Sequence, residues 1–173
     1  MHLAFVTIEG RGLIDDFLSE VVAVLQQRGV RLSGTVRALP VDHRAHPCDM
    51  DLRVLPDGPL FRISQSLGTG SRGCRLDGGT IETLAMQVEA KLAGSDLLVV
   101  NKFGKQESYG RGLCPAIAKA HDLGVPVLVG VNGLNLDGFT QFSAGLARQL
   151  EPDTQAILSW FAQPRSSMER TAV

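Results

Sequence analysis

What this chain lacks narrows its function quickly. Its three cysteines, Cys48, Cys74 and Cys114, stand far apart and form no C-x-x-C pair. That spacing argues against a structural zinc site, and no metal site is expected. An odd count argues for thiols rather than a disulfide framework. A charge excess is missing too: 17 Lys and Arg against 18 Asp and Glu leave a formal net charge of −1. No global field draws such a protein to nucleic acid or to an anionic membrane, though local basic clusters remain. No apolar stretch approaches the ~20 residues of a membrane span. The start, Met1 to Val6, has no Lys or Arg and meets Glu9 before a signal-peptide core accrues. A cytoplasmic location is therefore expected.

A further absence is chemical. The phosphate-binding motif G-x-x-x-x-G-K-[ST] needs a lysine for the terminal phosphates and a hydroxyl for magnesium. Counting back from Gly12, Thr7 stands at the first glycine, Leu13 at the lysine and Ile14 at the hydroxyl. Three of the four defining positions are empty of the required chemistry.

What remains is an ordinary globular composition, 44% hydrophobic and 20% charged. One α/β domain is expected over 1–162, followed by a flexible tail over 163–173. Leu3 to Thr7 reads as a buried strand and Ile8 to Gly12 as a glycine turn. Apolar Leu13, Phe17, Val21, Val24 and Leu25 give a helix over 13–28, capped by Gly29. Val30 to Val36 is a second strand. This strand, turn, helix, strand order opens a three-layer fold with a mostly parallel sheet. Segments near 48–55 and 60–65 alternate polar and apolar about Pro56-Asp57-Gly58-Pro59. They predict a small inserted β-hairpin over about 48–66. A helix is expected from Thr80 to Leu92, with Thr80 as its cap. Strands follow over 97–100 and 125–131, and helices over 115–123, 139–150 and 155–161. There are no internal repeats.

Three places carry candidate chemistry. The turn Gly10-Arg11-Gly12 opens a helix, where backbone N–H groups and the helix dipole favour an anion. Asp15 and Asp16 in the first helical turn oppose that charge, and Arg11 restores part of it. The second place is Asn101-Lys102-Phe103-Gly104-Lys105-Gln106-Glu107, read as a polar loop beyond a core strand. Phosphate-transfer enzymes often carry an acidic pair there to hold magnesium. Asn101 cannot supply that charge, and Lys102 attracts an anion instead. Lys105 and Arg111 add cations at the carboxyl edge, where open α/β sheets bind ligands. The third is Ser71-Arg72-Gly73-Cys74-Arg75, whose guanidinium forks suit oxyanions. A metal role for Asp49 or Asp51 with Cys48, His43 and His46 is poorly specified by spacing.

These residues carry a resemblance. The segments Cys48 to Leu52, Ile63 to Gln65, Ser71 to Asp77 and Val100 to Glu107 are similar to a bacterial domain-of-unknown-function family. The similarity runs from residue 1 to about 162. Members of that family are often encoded beside molybdate uptake genes, which implies a role around molybdenum or tungsten. More distantly, the element order resembles the cancer-related, THEP-type P-loop nucleoside triphosphatases. In those proteins the later strand ends in Asp-Glu-x-Gly, and the P-loop is complete. Here Asn101-Lys102 lies on the acidic pair, and Leu13 and Ile14 lie on the lysine and threonine.

The expected function is a non-hydrolysing oxyanion- or phosphate-binding protein of P-loop-like ancestry, with molybdate, tungstate or a nucleotide as ligand. Gly10, Arg11, Gly12, Arg72, Cys74, Arg75, Asn101, Lys102, Lys105 and Arg111 are its expected ligand-binding residues. Two alternatives stay open. A divergent nucleoside triphosphatase would use Glu107 as its base. An adaptor in molybdenum-enzyme maturation would meet molybdenum-transport or maturation proteins through the loop 38–47 and the hairpin. A homodimer is a fair expectation for either.

Overall fold

The structure is a computed structural model, and its described residues are 2–38, 50–64 and 76–163. Among these residues seven strands form one sheet: β1 (Leu3–Val6), β2 (Leu32–Arg37), β3 (Asp51–Val54), β4 (Leu60–Arg62), β5 (Leu97–Phe103), β6 (Val127–Val131) and β7 (Arg148–Gln149). Their spatial order is β4-β3-β2-β5-β6-β1-β7. The five strands from β2 to β7 in that order run parallel. The hairpin β3–β4 pairs antiparallel and extends the sheet beyond β2. The α/β class, the mostly parallel sheet and the small hairpin are those expected from the sequence.

The helices among the described residues are α1 (Leu13–Gln27), α2 (Gly78–Lys91), α3 (Lys105–Ser108), α4 (Cys114–Asp122), α5 (Leu136–Phe142) and α6 (Thr154–Phe161), with a 3-10 turn at Gly133–Asn135. Strand alternation divides the core in two. Ala4, Val6, Leu97, Val99 and Leu128 pack with α1 and α6. Leu3, Phe5, Leu98, Val100, Val127 and Val129 pack with α2, α4 and Phe139 of α5. Leu18 and Leu25 of α1 are wholly buried, and each such side chain stabilises the fold by about 1.5–3 kcal/mol.

Several expected boundaries move, each for a physical reason. The inward stripe of α1 is Ile14, Leu18, Val21, Val22 and Leu25, while Leu13 is exposed. Asp77, not Thr80, caps α2: its carboxylate accepts from the Gly79 and Thr80 amides. The Thr80 amide first, then the Thr80 hydroxyl, hold its pKa below the ordinary carboxylate value. The helix expected over 139–150 is instead α5 followed by β7, which pairs with Ala4 and Phe5 of β1. Ala144 and Gly145 both have positive φ, which ends the helix and turns the chain into that strand. The largest shift is in β5, which continues through Asn101 and Lys102 to Phe103. The tail expected from 163, apart from Gln163, lies outside the described residues.

Candidate functional site

At the carboxyl edge of the sheet, α1 begins against the ends of β2 and β5. Gly10 (φ 111°) and Gly12 (φ 82°) both occupy left-handed backbone, which glycine enters without steric penalty. Gly12 is the N-cap, and no side chain caps this helix. The first helical bond runs from the Asp16 amide to the Gly12 carbonyl. The amides of Leu13, Ile14 and Asp15 therefore lack intrahelical acceptors.

The β5–β6 register explains what faces that helix start. Val100 pairs with Val129 and Phe103 with Val131, so β5 carries one extra residue between the two pairs. Val100 and Phe103 both point into the α2–α4 core. Asn101 and Lys102 therefore share the opposite face, toward α1. A β-bulge re-aims side chains in this way. Regular alternation would have split the pair across the sheet.

Both side chains converge on one carboxylate. Asn101 Nδ2 donates to Asp15 Oδ1 at 2.7 Å. Lys102 Nζ lies 3.2 Å from Asp15 Oδ2. Asn101 Oδ1 accepts from the Arg37 amide at 3.2 Å, and the Asn101 amide donates to Thr35 Oγ1 at 3.4 Å. Arg37 Nη1 lies 3.2 Å from Asp16 Oδ1 and 4.0 Å from Asp15 Oδ2. Ser19 Oγ donates to the Asp15 carbonyl and to the Arg37 carbonyl. One network thus ties α1, β2 and β5 together. Two cations, Arg37 and Lys102, balance two carboxylates, Asp15 and Asp16.

The network explains why residue 101 is an amide. It must accept a backbone N–H with one atom and donate to a carboxylate with another. An asparagine does both. An aspartate there would place two carboxylates in hydrogen-bond contact. The charges are also inverted relative to a hydrolytic P-loop site. The carboxylate stands on the helix, and the lysine stands on the strand.

The loop after β5 is built differently. Glu107 is buried, and its two carboxylate oxygens accept from the Gly104 amide at 3.0 Å and the Leu113 amide at 3.1 Å. Burial pushes its pKa up, against the lowering effect of those amides. Gly112, with φ 59°, packs directly on this carboxylate and leaves no room for a Cβ. The Gly112 amide donates to Glu82 Oε1 at 2.9 Å. Cys114 Sγ donates to the Glu107 carbonyl at 3.2 Å. Burial first, then the Glu107 charge, push that thiol up to about 12, so it is inert as a nucleophile at neutral pH.

Of the sequence-derived residues, Gly10, Gly12, Asn101 and Lys102 meet at the start of α1. Arg11 is exposed on the same turn. Lys105, which opens α3, and Arg111, on the turn after it, are both exposed. One expectation needs correction. Asn101 and Lys102 belong to a strand, not a loop, and Asn101 is buried. Both carboxylate oxygens of Glu107 accept from nearby backbone amides, those of Gly104 and Leu113. Arg72, Cys74 and Arg75 lie outside the described residues, as do His43, His46, Cys48 and Asp49. Asp51 pairs with Arg62 at 3.0 Å. Among the described residues no group of three or more His, Cys, Asp or Glu side chains is arranged to hold a metal.

Sequence reasoning missed Arg37 and the partnership of Asp15. The second was legible. Asp15 lies one and two turns from Leu18 and Val22, on the inward stripe of α1. A carboxylate on that stripe requires a buried partner.

This mostly parallel sheet, with a glycine turn leading into α1, defines an α/β protein with a P-loop NTPase-like fold. Two solved structures share the fold. THEP1 from the hyperthermophile Aquifex aeolicus superposes with a TM-score of 0.66 at 14% identity, covering 94% of this chain and 100% of that one. A human cancer-related nucleoside triphosphatase gives 0.60 at 17% identity, covering 86% and 87%. Within that class, the chain belongs to the family described as "Protein of unknown function (DUF2478)", which matches residues 3–160. It is also 32% identical over 158 residues to "Molybdenum import ATP-binding protein ModC 2" of Bradyrhizobium diazoefficiens. That match covers 91% of this chain but only 18% of the relative's length. No helix among the described residues is long and apolar enough to cross a membrane.

Proposed function

We propose that this protein binds a tetrahedral oxyanion, or the phosphate group of a nucleotide, without hydrolysing a nucleotide. One observation carries the reading. The bulge in β5 and the end of β2 bring Lys102 and Arg37 to the uncapped start of α1. The amides of Leu13 and Ile14 and these two cations are the groups an oxyanion needs. The groups that would split a triphosphate are replaced. Leu13 and Ile14 stand for the lysine and the hydroxyl, Asn101 and Lys102 stand for the acidic pair, and Glu107 binds its own loop.

Molybdate or tungstate is the favoured ligand because the similar Bradyrhizobium protein is named for molybdenum import. The matched segment is 18% of that protein, which leaves ample chain outside the match for its ATP binding. The same fact favours a second reading, in which this module acts as an adaptor beside a molybdate importer. Calorimetric titration with sodium molybdate, tungstate, phosphate and ATP tests the first reading. Micromolar binding to an oxyanion is expected, and Lys102→Ala should weaken it roughly tenfold to a hundredfold. The absence of binding to all four would sink it. Retention of a molybdate-import ATPase on the immobilised module, undiminished by Lys102→Ala, would favour the adaptor.

A further inference from the structure

A guanidinium stands beside the start of α1. Gly12 has no side chain, and the Arg37 guanidinium fills that space: Nη1 lies 3.1 Å from where a Cβ would stand. The same nitrogen is held 3.2 Å from Asp16 Oδ1. The two acids of the first turn differ in their surroundings. The Asp15 side chain is 12% exposed and tied to Asn101 and Lys102. The Asp16 side chain is 52% exposed, and Arg37 is its cation.

We propose that the Arg37–Asp16 pair is a latch over the anion site: Asp16 occupies the guanidinium that an incoming oxyanion must take. This rests on the oxyanion reading above and assigns its regulation. The geometry makes the exchange local. Arg37 ends β2, and its amide stays fixed on Asn101 Oδ1. Only the side chain needs to change partner, from the carboxylate to an anion at the Leu13 and Ile14 amides. The buried Asp15 keeps Lys102 aligned during the exchange. Asp16 thus sets a threshold. A dianion regains two charge-assisted contacts in return for the one it breaks. A singly charged anion gains less and is discriminated against.

The test is calorimetry with sodium molybdate at low ionic strength, on the native chain and on Asp16→Asn, Asp16→Ser and Glu20→Gln. Glu20 is exposed one turn further along α1, so its substitution removes the same charge away from the latch. Circular dichroism confirms that each variant is folded. The latch predicts that both Asp16 variants bind about tenfold tighter. Glu20→Gln should match the native chain, and adding Arg37→Ala to Asp16→Asn should abolish the gain. Equal affinity of the native chain and the Asp16 variants would overturn the latch and leave the oxyanion reading standing. Equal tightening by Asp16→Asn and Glu20→Gln would reduce the effect to net charge and overturn it as well. Silence from the native chain and every variant would remove the oxyanion reading itself, and the latch with it.

Discussion

Two buried carboxylates lie near the same sheet edge, and they are satisfied in opposite ways. Asp15, at the start of α1, is neutralised across the fold by Lys102 and Asn101 of β5, with Arg37 of β2 beside it. Glu107 is satisfied almost within its own loop, by the amides of Gly104 and Leu113. Asp15 therefore couples three elements that are distant in sequence. Glu107 fixes the shape of one short segment. The difference bears on the proposed site. The cations beside Asp15 and Asp16 sit on side chains that can turn, whereas the amides that hold Glu107 are fixed in the backbone.

The sharpest way to break this contrast is to force a second charge onto Asp15. Asn101→Asp would set two carboxylates in contact in a poorly solvated place. It should lower stability by about 3 kcal/mol, the scale for an uncompensated buried charge. Combining it with Asp15→Asn restores one amide and one acid, so most of the loss should return. Urea unfolding of both single variants and the double variant gives the coupling. Simple additivity of the two losses would show that the pairing is not the cause. The Asn101→Asp penalty should also shrink in acid, because one of two adjacent carboxylates takes up a proton easily.

Glu107 should respond less strongly and without long-range coupling. Glu107→Ala leaves the Gly104 and Leu113 amides without their acceptor and should cost about 2 kcal/mol. Glu107→Gln keeps one acceptor but turns a donor toward the other amide, at about 1 kcal/mol. The pH dependence follows from the raised native pKa. The folded state binds this proton more tightly than the unfolded chain. The contribution of Glu107 is therefore fully present below the ordinary glutamate value and is lost as pH rises through the native one. A urea midpoint series across that window should slope downward with pH in the native chain. The slope should be shallower in Glu107→Gln, and identical slopes would refute the assignment. Gly112→Ala should approach the loss from Glu107→Ala, because its φ of 59° and the adjacent carboxylate both resist a Cβ.

The parts of this contrast were unequally legible in the sequence. Local patterns revealed β1, the glycine turn, α1 and the parallel plan, since apolar runs and glycine breaks are short-range signals. They also revealed that lysine, hydroxyl and acidic pair were absent. The bulge was not legible. Only pairing with Val129 and Val131 of β6 reveals the extra residue that turns Asn101 and Lys102 to one face. Arg37 was missed because strand order is non-local: β2 lies beside β5, and nothing within residues 32–37 says so. The surroundings of Glu107 were not legible either, because a glutamate after a strand reads the same whether it faces solvent or Leu113. The second amide that binds it comes six residues later.

The smallest effects concern Lys105 and Arg111, the exposed cations of α3 and the turn after it. Alanine at either position should change stability by no more than about 0.5 kcal/mol, as for most surface substitutions. Their effect on anion affinity then asks how far the site extends. A group that acts only through the field of an exposed charge is screened beyond roughly 10 Å at 0.1 M salt. A group that touches the ligand is not. If the site is confined to α1, β2 and the β5 bulge, Lys105→Ala and Arg111→Ala should weaken molybdate binding slightly at low salt and not at all at 0.5 M. Lys102→Ala should weaken it at both. A loss with Lys105→Ala that persists at high salt would bring α3 into the site. The Glu107 loop would then be a positioning element for the ligand, and the division between site and scaffold would move from Asp15 to Glu107.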